Sequence, residues 1–169
     1  MYSGRPICPG CGKQLVMPAG PPSSPILLVA EFPGGEEMKQ GRPFVGQTGD
    51  ILTEELGRVG LQLSQFRITT LWLHQIAKKG EPCPIDFHLQ QLVGEMIGRK
   101  VIFLMGSDTV KRLCKQNMTD VSSLRVVGPF IPSDAIALAS PNPAIAMHGS
   151  IGELRLAFTR LSEVIRYVS

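Results

Sequence analysis

An α/β fold, a parallel sheet with helices on both faces, is what this sequence predicts. Four short apolar runs, Ile26–Ala30, Phe66–Trp72, Lys100–Met105 and Asp134–Ala139, are mostly bounded by turn residues, as buried parallel strands are. Helix-like segments lie between them, and strands alternating with helices assemble into a parallel sheet through right-handed crossovers.

In chain order, Ile26–Ala30 is continuously apolar, so both of its faces are read as buried. Thr48–Gly57 places Ile51, Leu52 and Leu56 near one helical face. The second strand, Phe66–Trp72, is followed by a helix over Ile85–Ile97. The third, Lys100–Met105, is followed by a helix over Asp108–Gln116. After the fourth strand, Gly152–Val168 repeats Leu154, Phe158, Leu161, Ile165 and Val168 at helical spacing. No internal repeat is present. The one low-complexity run, PAGPPSSP over Pro18–Pro25, reads as a stiff polar connector behind a short Cys-containing segment.

The totals bound the function. A chain of 169 residues suffices for one domain with a core. No apolar run is long enough to span a membrane. No charged start leads into an apolar secretory segment, so a cytoplasmic location is the expected default. A formal charge of +3 permits a nucleic-acid partner without demonstrating one. Four cysteines without an export signal suggest thiols or metal ligands rather than disulfides.

The stretch from Ile26 to Leu56 is the most informative. After the first strand come Glu31, Pro33, Gly34 and Gly35, and then a loop with one aromatic, Phe44. An acid at the C-terminal end of a first parallel strand stands where open α/β sheets place their chemistry. Glycines there let a charged ligand approach the backbone.

Ala30-Glu31-Phe32-Pro33-Gly34 and Gly41-Arg42-Pro43-Phe44-Val45-Gly46 together resemble the paired motifs of the uracil-DNA glycosylase superfamily, in particular its iron–sulfur branch, family 4. That branch carries G-E-x-P-G, a short acidic spacer and G-R-P-F-V-G; the first Gly is Ala30 here. The resemblance covers most of the chain. It implies a three-layer αβα sandwich on a four-stranded parallel sheet, one domain over 1–169 with a metal-knuckle segment at 1–25, acting on DNA as a monomer.

What the resemblance implies for the site follows residue by residue. Glu31 orients a water and opposes positive charge on the sugar; the residue alone also reads as an exposed turn carboxylate. Phe44 stacks on an extruded base, worth roughly 1–3 kcal/mol, or else is a core Phe under the loop. The family's I-T-N is Ile68-Thr69-Thr70 here. Thr70 replaces the Asn that reads the uracil edge, which points to a different or bulkier base such as a modified pyrimidine. The alternative is a plain strand Thr bonded to a backbone carbonyl. The family's H-P-A or H-P-S is Asn142-Pro143-Ala144 here. Asn142 can still donate to the departing base but carries no proton; it also reads as a turn residue before proline. Ile145 and Met147 are candidate wedges that replace the lost base stacking, and either reads equally as packing. Gly34, Gly35, Lys39, Arg42 and His148 are candidate DNA contacts, with a solvated surface as the alternative for the charged ones.

Cys8-Pro9-Gly10-Cys11-Gly12 is a knuckle that aims two thiolates at one point. Near the places where the iron–sulfur branch has two further Cys, this chain has His74 and His88. Cys8, Cys11, His74 and His88 form a zinc-type set, while Cys83 can replace either His and keeps an iron–sulfur cluster open. The metal is expected to be structural, with no cofactor needed for the chemistry. Cys114 reads as a buried thiol. A DNA glycosylase for a non-uracil pyrimidine is the leading expectation; a conventional uracil-DNA glycosylase and a non-catalytic DNA binder on the same fold are the alternatives.

Overall fold

The computed structural model describes residues 4–76 and 83–169. Residues 1–3 of the N-terminal segment lie outside the described residues. The sheet has five strands: β1 (Ile26–Ala30), β2 (Arg67–Thr70), β3 (Val101–Met105), β4 (Arg125–Val126) and β5 (Ile136–Ser140). Their spatial order is β2-β1-β3-β5-β4. β1, β2, β3 and β5 are parallel, with Leu28 opposite Ile68 and Phe103, and Phe103 opposite Leu138. The four expected parallel strands are present, but the sheet is corrected to five strands, because β4 pairs antiparallel with β5, Arg125 opposite Leu138. Two residues are too few to show a period-two pattern, so this strand leaves no trace in the sequence.

The helices are α1 (Gly35–Gln40), α2 (Gln47–Arg58), α3 (Ile85–Met96), α4 (Ser107–Cys114), α5 (Met118–Val121) and α6 (Ile151–Val168). They cover both faces of the sheet. Alternation along the strands divides the core in two. Leu27, Val29, Ile102 and Leu104 meet Leu92 and Met96 of α3 and Val110 and Leu113 of α4. Leu28, Phe103 and Met105 meet Leu52 and Leu56 of α2 and Leu154, Phe158 and Leu161 of α6. Phe103 and Phe158 pack edge to face at 5.2 Å between centroids.

The Pro18–Pro25 stretch is tied to the sheet. Ala19 and Ile68 exchange both backbone hydrogen bonds, at 2.9 Å each, and Arg99 donates to the carbonyls of Pro22 and Ser24. The chain runs from β1 to β2 on one side and then to β3 on the other, so the strand order reverses beside β1. At such a point the loops leaving β1 and β3 diverge and open a crevice at the strands' C-terminal ends. Glu31 and Gly106 are the residues that leave those two strands.

Candidate active site and metal centre

A cavity of about 340 Å³ opens at that crevice, and Glu31, Phe44, Thr70 and Asn142 all line it. Glu31 is fixed by its place in the chain: its carbonyl accepts the Trp72 N–H at 2.9 Å, an extension of the β1–β2 ladder. Its side chain crosses to Gly106, the residue before α4, where φ is +99°. A Cβ on Gly106 would sit 2.0 Å from Glu31 Oε1, so only glycine leaves room for the carboxylate. There the Asn142 amide and the Asp108 backbone N–H favour the charged form of its carboxyl. The latter belongs to the first turn of α4, whose dipole favours negative charge. Burial nevertheless pushes the Glu31 carboxyl above the usual carboxylate range, the Asn142 hydrogen bond opposes that rise, and the charge of Asp108 adds to it. Asp108 itself is paired with Arg112 at 3.0 Å, and the Arg112 guanidinium lies over the Trp72 ring.

Asn142 begins the 3-10 turn Pro143–His148, and its Oδ1 accepts the Ala144 N–H at 2.9 Å. That bond fixes the amide orientation: the oxygen is committed to the backbone, so it is the NH2 that favours the charged form of Glu31. Thr70 Oγ1 lies 2.6 Å from the Trp72 carbonyl oxygen. A carbonyl only accepts, so the hydroxyl proton is spent there and Thr70 offers the cavity lone pairs alone.

Phe44 lines the cavity and also packs against the Leu52–Phe158 side of the core. Its φ of +57° is one a bulky L-residue rarely adopts. Two neighbours hold it there. Gly49 has no side chain, and a Cβ on it would lie 2.1 Å from the Phe44 carbonyl oxygen. Buried Glu37 accepts the Gly46 N–H at 2.9 Å and so ties the acidic spacer to the end of the aromatic loop. Glu37, Gly49, Gly106 and Asp108 escaped the sequence reading. A glycine directly after a strand was the one available signal; Glu37 looks like any solvated acid of a spacer.

Of the candidate wedges, Met147 is 46% exposed at the cavity rim, whereas Ile145 packs against the core. Gly34 and Gly35 line the cavity. Lys39 is exposed and paired with Glu36 at 2.9 Å; Arg42 and His148 are exposed on their loops.

A second cluster lies beside the sheet's β2 edge. The ligand atoms of Cys8, His74, Cys83 and His88 all fall within 4.8 Å of one another. Cys8 Sγ is 3.6 Å from Cys83 Sγ, and His74 Nε2 is 3.3 Å from both Cys11 Sγ and Cys83 Sγ. Of the expected metal residues, Cys8, His74 and His88 share this group, and its fourth member is Cys83 rather than Cys11, whose sulfur approaches His74 from an exposed position. Thiols and imidazoles converging in a mostly buried spot are a metal-binding donor set.

The family model of the uracil DNA glycosylase superfamily matches residues 17–162. A type-4 uracil-DNA glycosylase of Sulfurisphaera tokodaii is 26% identical over 141 residues, 76% of this chain and 64% of that protein. A type-4 uracil-DNA glycosylase of Thermotoga maritima is 30% identical over 106 residues, 59% of this chain and 54% of that protein. One of Pyrobaculum aerophilum is 44% identical over 46 residues, 27% of this chain and 24% of that protein. The chain therefore spans less than two thirds of the length of each of these relatives. With that match across most of its length and the paired motifs meeting in one cavity, this chain belongs to the uracil DNA glycosylase superfamily.

Proposed function

We propose that this chain is a monofunctional DNA glycosylase that hydrolyses the N-glycosidic bond of a flipped-out, non-uracil pyrimidine and leaves an abasic site. One observation carries the reading: a carboxylate, an aromatic ring and an oriented amide, brought from three separate segments, line one cavity at the sheet's switch point. Cleavage leaves positive charge on the sugar and negative charge on the base. Glu31 orients the water and faces the sugar. Phe44 stacks on the base, and Met147 at the rim fills the gap left in the duplex. With its oxygen bonded to Ala144 N–H, Asn142 keeps its two N–H groups to favour the ionised Glu31 and to donate to the base oxygen. Lys39, Arg42, His148 and the glycines of the first motif contact phosphate.

Thr70 supports the altered substrate. The shorter side chain leaves room where the family's Asn stands, and its spent proton leaves that edge acceptor-only. The 4-oxo group of uracil would face lone pairs there, whereas a 4-amino group would donate to them. A modified cytosine-type base fits this edge best.

The cluster around Cys8 is proposed to hold structural zinc, with the iron–sulfur cluster implied by the family resemblance as the alternative. The protein acts as a monomeric domain in the cytoplasm. No helix among the described residues is long and apolar enough to cross a membrane.

Duplex and single-stranded oligonucleotides carrying uracil, thymine, cytosine, hydroxymethyl or glycosylated pyrimidines test the proposal through free-base release and alkaline cleavage at abasic sites. Release is expected from a modified pyrimidine above uracil, and to vanish in Glu31→Gln. Activity on plain uracil alone overturns the altered substrate. Retention of DNA with no release from any base favours the non-catalytic binder.

A further inference from the structure

We infer that a single metal ion is held by Cys8, Cys11, Cys83 and His74, and that His88 is a hydrogen-bond donor to thiolate sulfur rather than a ligand. A neutral imidazole has one lone pair and one N–H, and the partner of one nitrogen decides what the other can do. The two histidines are wired in opposite ways. His74 Nδ1 lies 3.2 Å from the Gln75 carbonyl oxygen. The oxygen can only accept, so Nδ1 carries the proton. The lone pair on Nε2 then points at the sulfurs of Cys11 and Cys83, each 3.3 Å away. His88 is the reverse. Its Nδ1 accepts the Leu73 backbone N–H at 3.1 Å, in a fully buried position. A peptide N–H can only donate, so the imidazole lone pair is consumed and the proton sits on Nε2. That proton faces Cys83 Sγ at 3.4 Å and Cys8 Sγ at 3.6 Å.

His88 could ligate only as an imidazolate, or after stripping a buried N–H of its partner. Cys11 then supplies the fourth donor. The knuckle turn, closed by Gly12 N–H to Cys8 O at 2.8 Å, presents its sulfur to His74. Three thiolates leave an excess negative charge on one zinc-type ion, and the His88 N–H···S contacts offset part of it.

Spacing separates one ion from a cluster. Zinc–sulfur and zinc–nitrogen bonds of about 2.3 and 2.0 Å put tetrahedral donors about 3.5–3.8 Å apart. The pairs Cys8–Cys83, Cys11–His74 and His74–Cys83 lie 3.3 to 3.6 Å apart, close to that range, and Cys8 and His74 lie within 4.8 Å of each other. In a four-iron cubane each donor binds its own iron, so the donors stand farther apart. The donor set therefore does not fit the family's iron–sulfur cluster. This inference is independent of which base is excised.

X-ray absorption at the zinc edge of the full chain, with metal analysis, is the test. The expected result is one zinc per chain with three sulfurs and one nitrogen. His88→Gln, whose amide oxygen can still accept the Leu73 N–H, is expected to keep that shell with affinity lowered roughly tenfold. His74→Ala is expected to lose the metal, with circular dichroism to check folding; the wild-type spectrum decides even where that variant fails to fold. A shell of two sulfurs and two nitrogens overturns the inference. So does iron with visible cluster absorption, or loss of metal in His88→Gln equal to that in His74→Ala.

Discussion

Glu31 concentrates the conflict between stability and chemistry in one side chain. Its carboxyl is raised by burial, then opposed by Asn142, then raised by Asp108. A folded-state value above the unfolded one means that protonation favours the native state below the unfolded value. That gain is lost as pH climbs through the folded value. At neutral pH the ionised group is thus a cost. Glu31→Gln is expected to raise the melting temperature at pH 7 while lowering base release by roughly 10²–10³-fold or more; calorimetry and a single-turnover assay check the two halves. Catalysis needs the ionised form, so activity falls on the acid side at a pH above the ordinary glutamate range. Asp108→Asn removes the like charge and is expected to move that acid limb to lower pH, read from kcat/KM against pH. A limb that stays in place would show that Asp108 does not act on Glu31.

At the scale of elements, the loop carrying Phe44 is set by what flanks it. Gly49→Ala would drive a Cβ into the Phe44 carbonyl and is expected to cost about 1–3 kcal/mol by denaturant unfolding. Glu37→Ala is expected to raise KM more than it lowers kcat, because it frees the loop and leaves Glu31 in place. These contacts also mark how far the sequence could be read. β1 and α6 were legible because their apolar patterns extend over 5 and 18 residues. The paired motifs named the carboxylate and the ring. By contrast α1, α5 and β4, at 6, 4 and 2 residues, carry too little periodicity to register. The partners of Glu31 on α4 lie some 75 residues away in the chain, and only the sheet order brings them together. Histidine identity was visible at positions 74 and 88. Which ring nitrogen keeps a lone pair was not, because backbone groups at Gln75 and Leu73 decide it.

Across the whole molecule, the N-terminal segment and the pocket are joined mechanically. Arg5 donates to the Met38 carbonyl at 2.6 Å, at the end of the helix that carries Glu37, and Val16 donates to the Leu73 carbonyl at 2.6 Å. The sole tryptophan, Trp72, sits 5.1 Å from His88 between the two sites. Chelation of the metal is therefore expected to change Trp72 emission and weaken DNA binding before far-ultraviolet circular dichroism is lost. Simultaneous loss of both signals would place the metal in the global folding unit. The two margins of the sheet carry a separate consequence. On the outer side of β2 Ala19 bridges to Ile68, in the middle of four residues, and at the opposite flank β4 offers two residues. Neither rim gives a foreign strand a long enough template to dock by main-chain pairing. A concentrated solution should accordingly sediment at one constant value, without creeping toward larger species on standing.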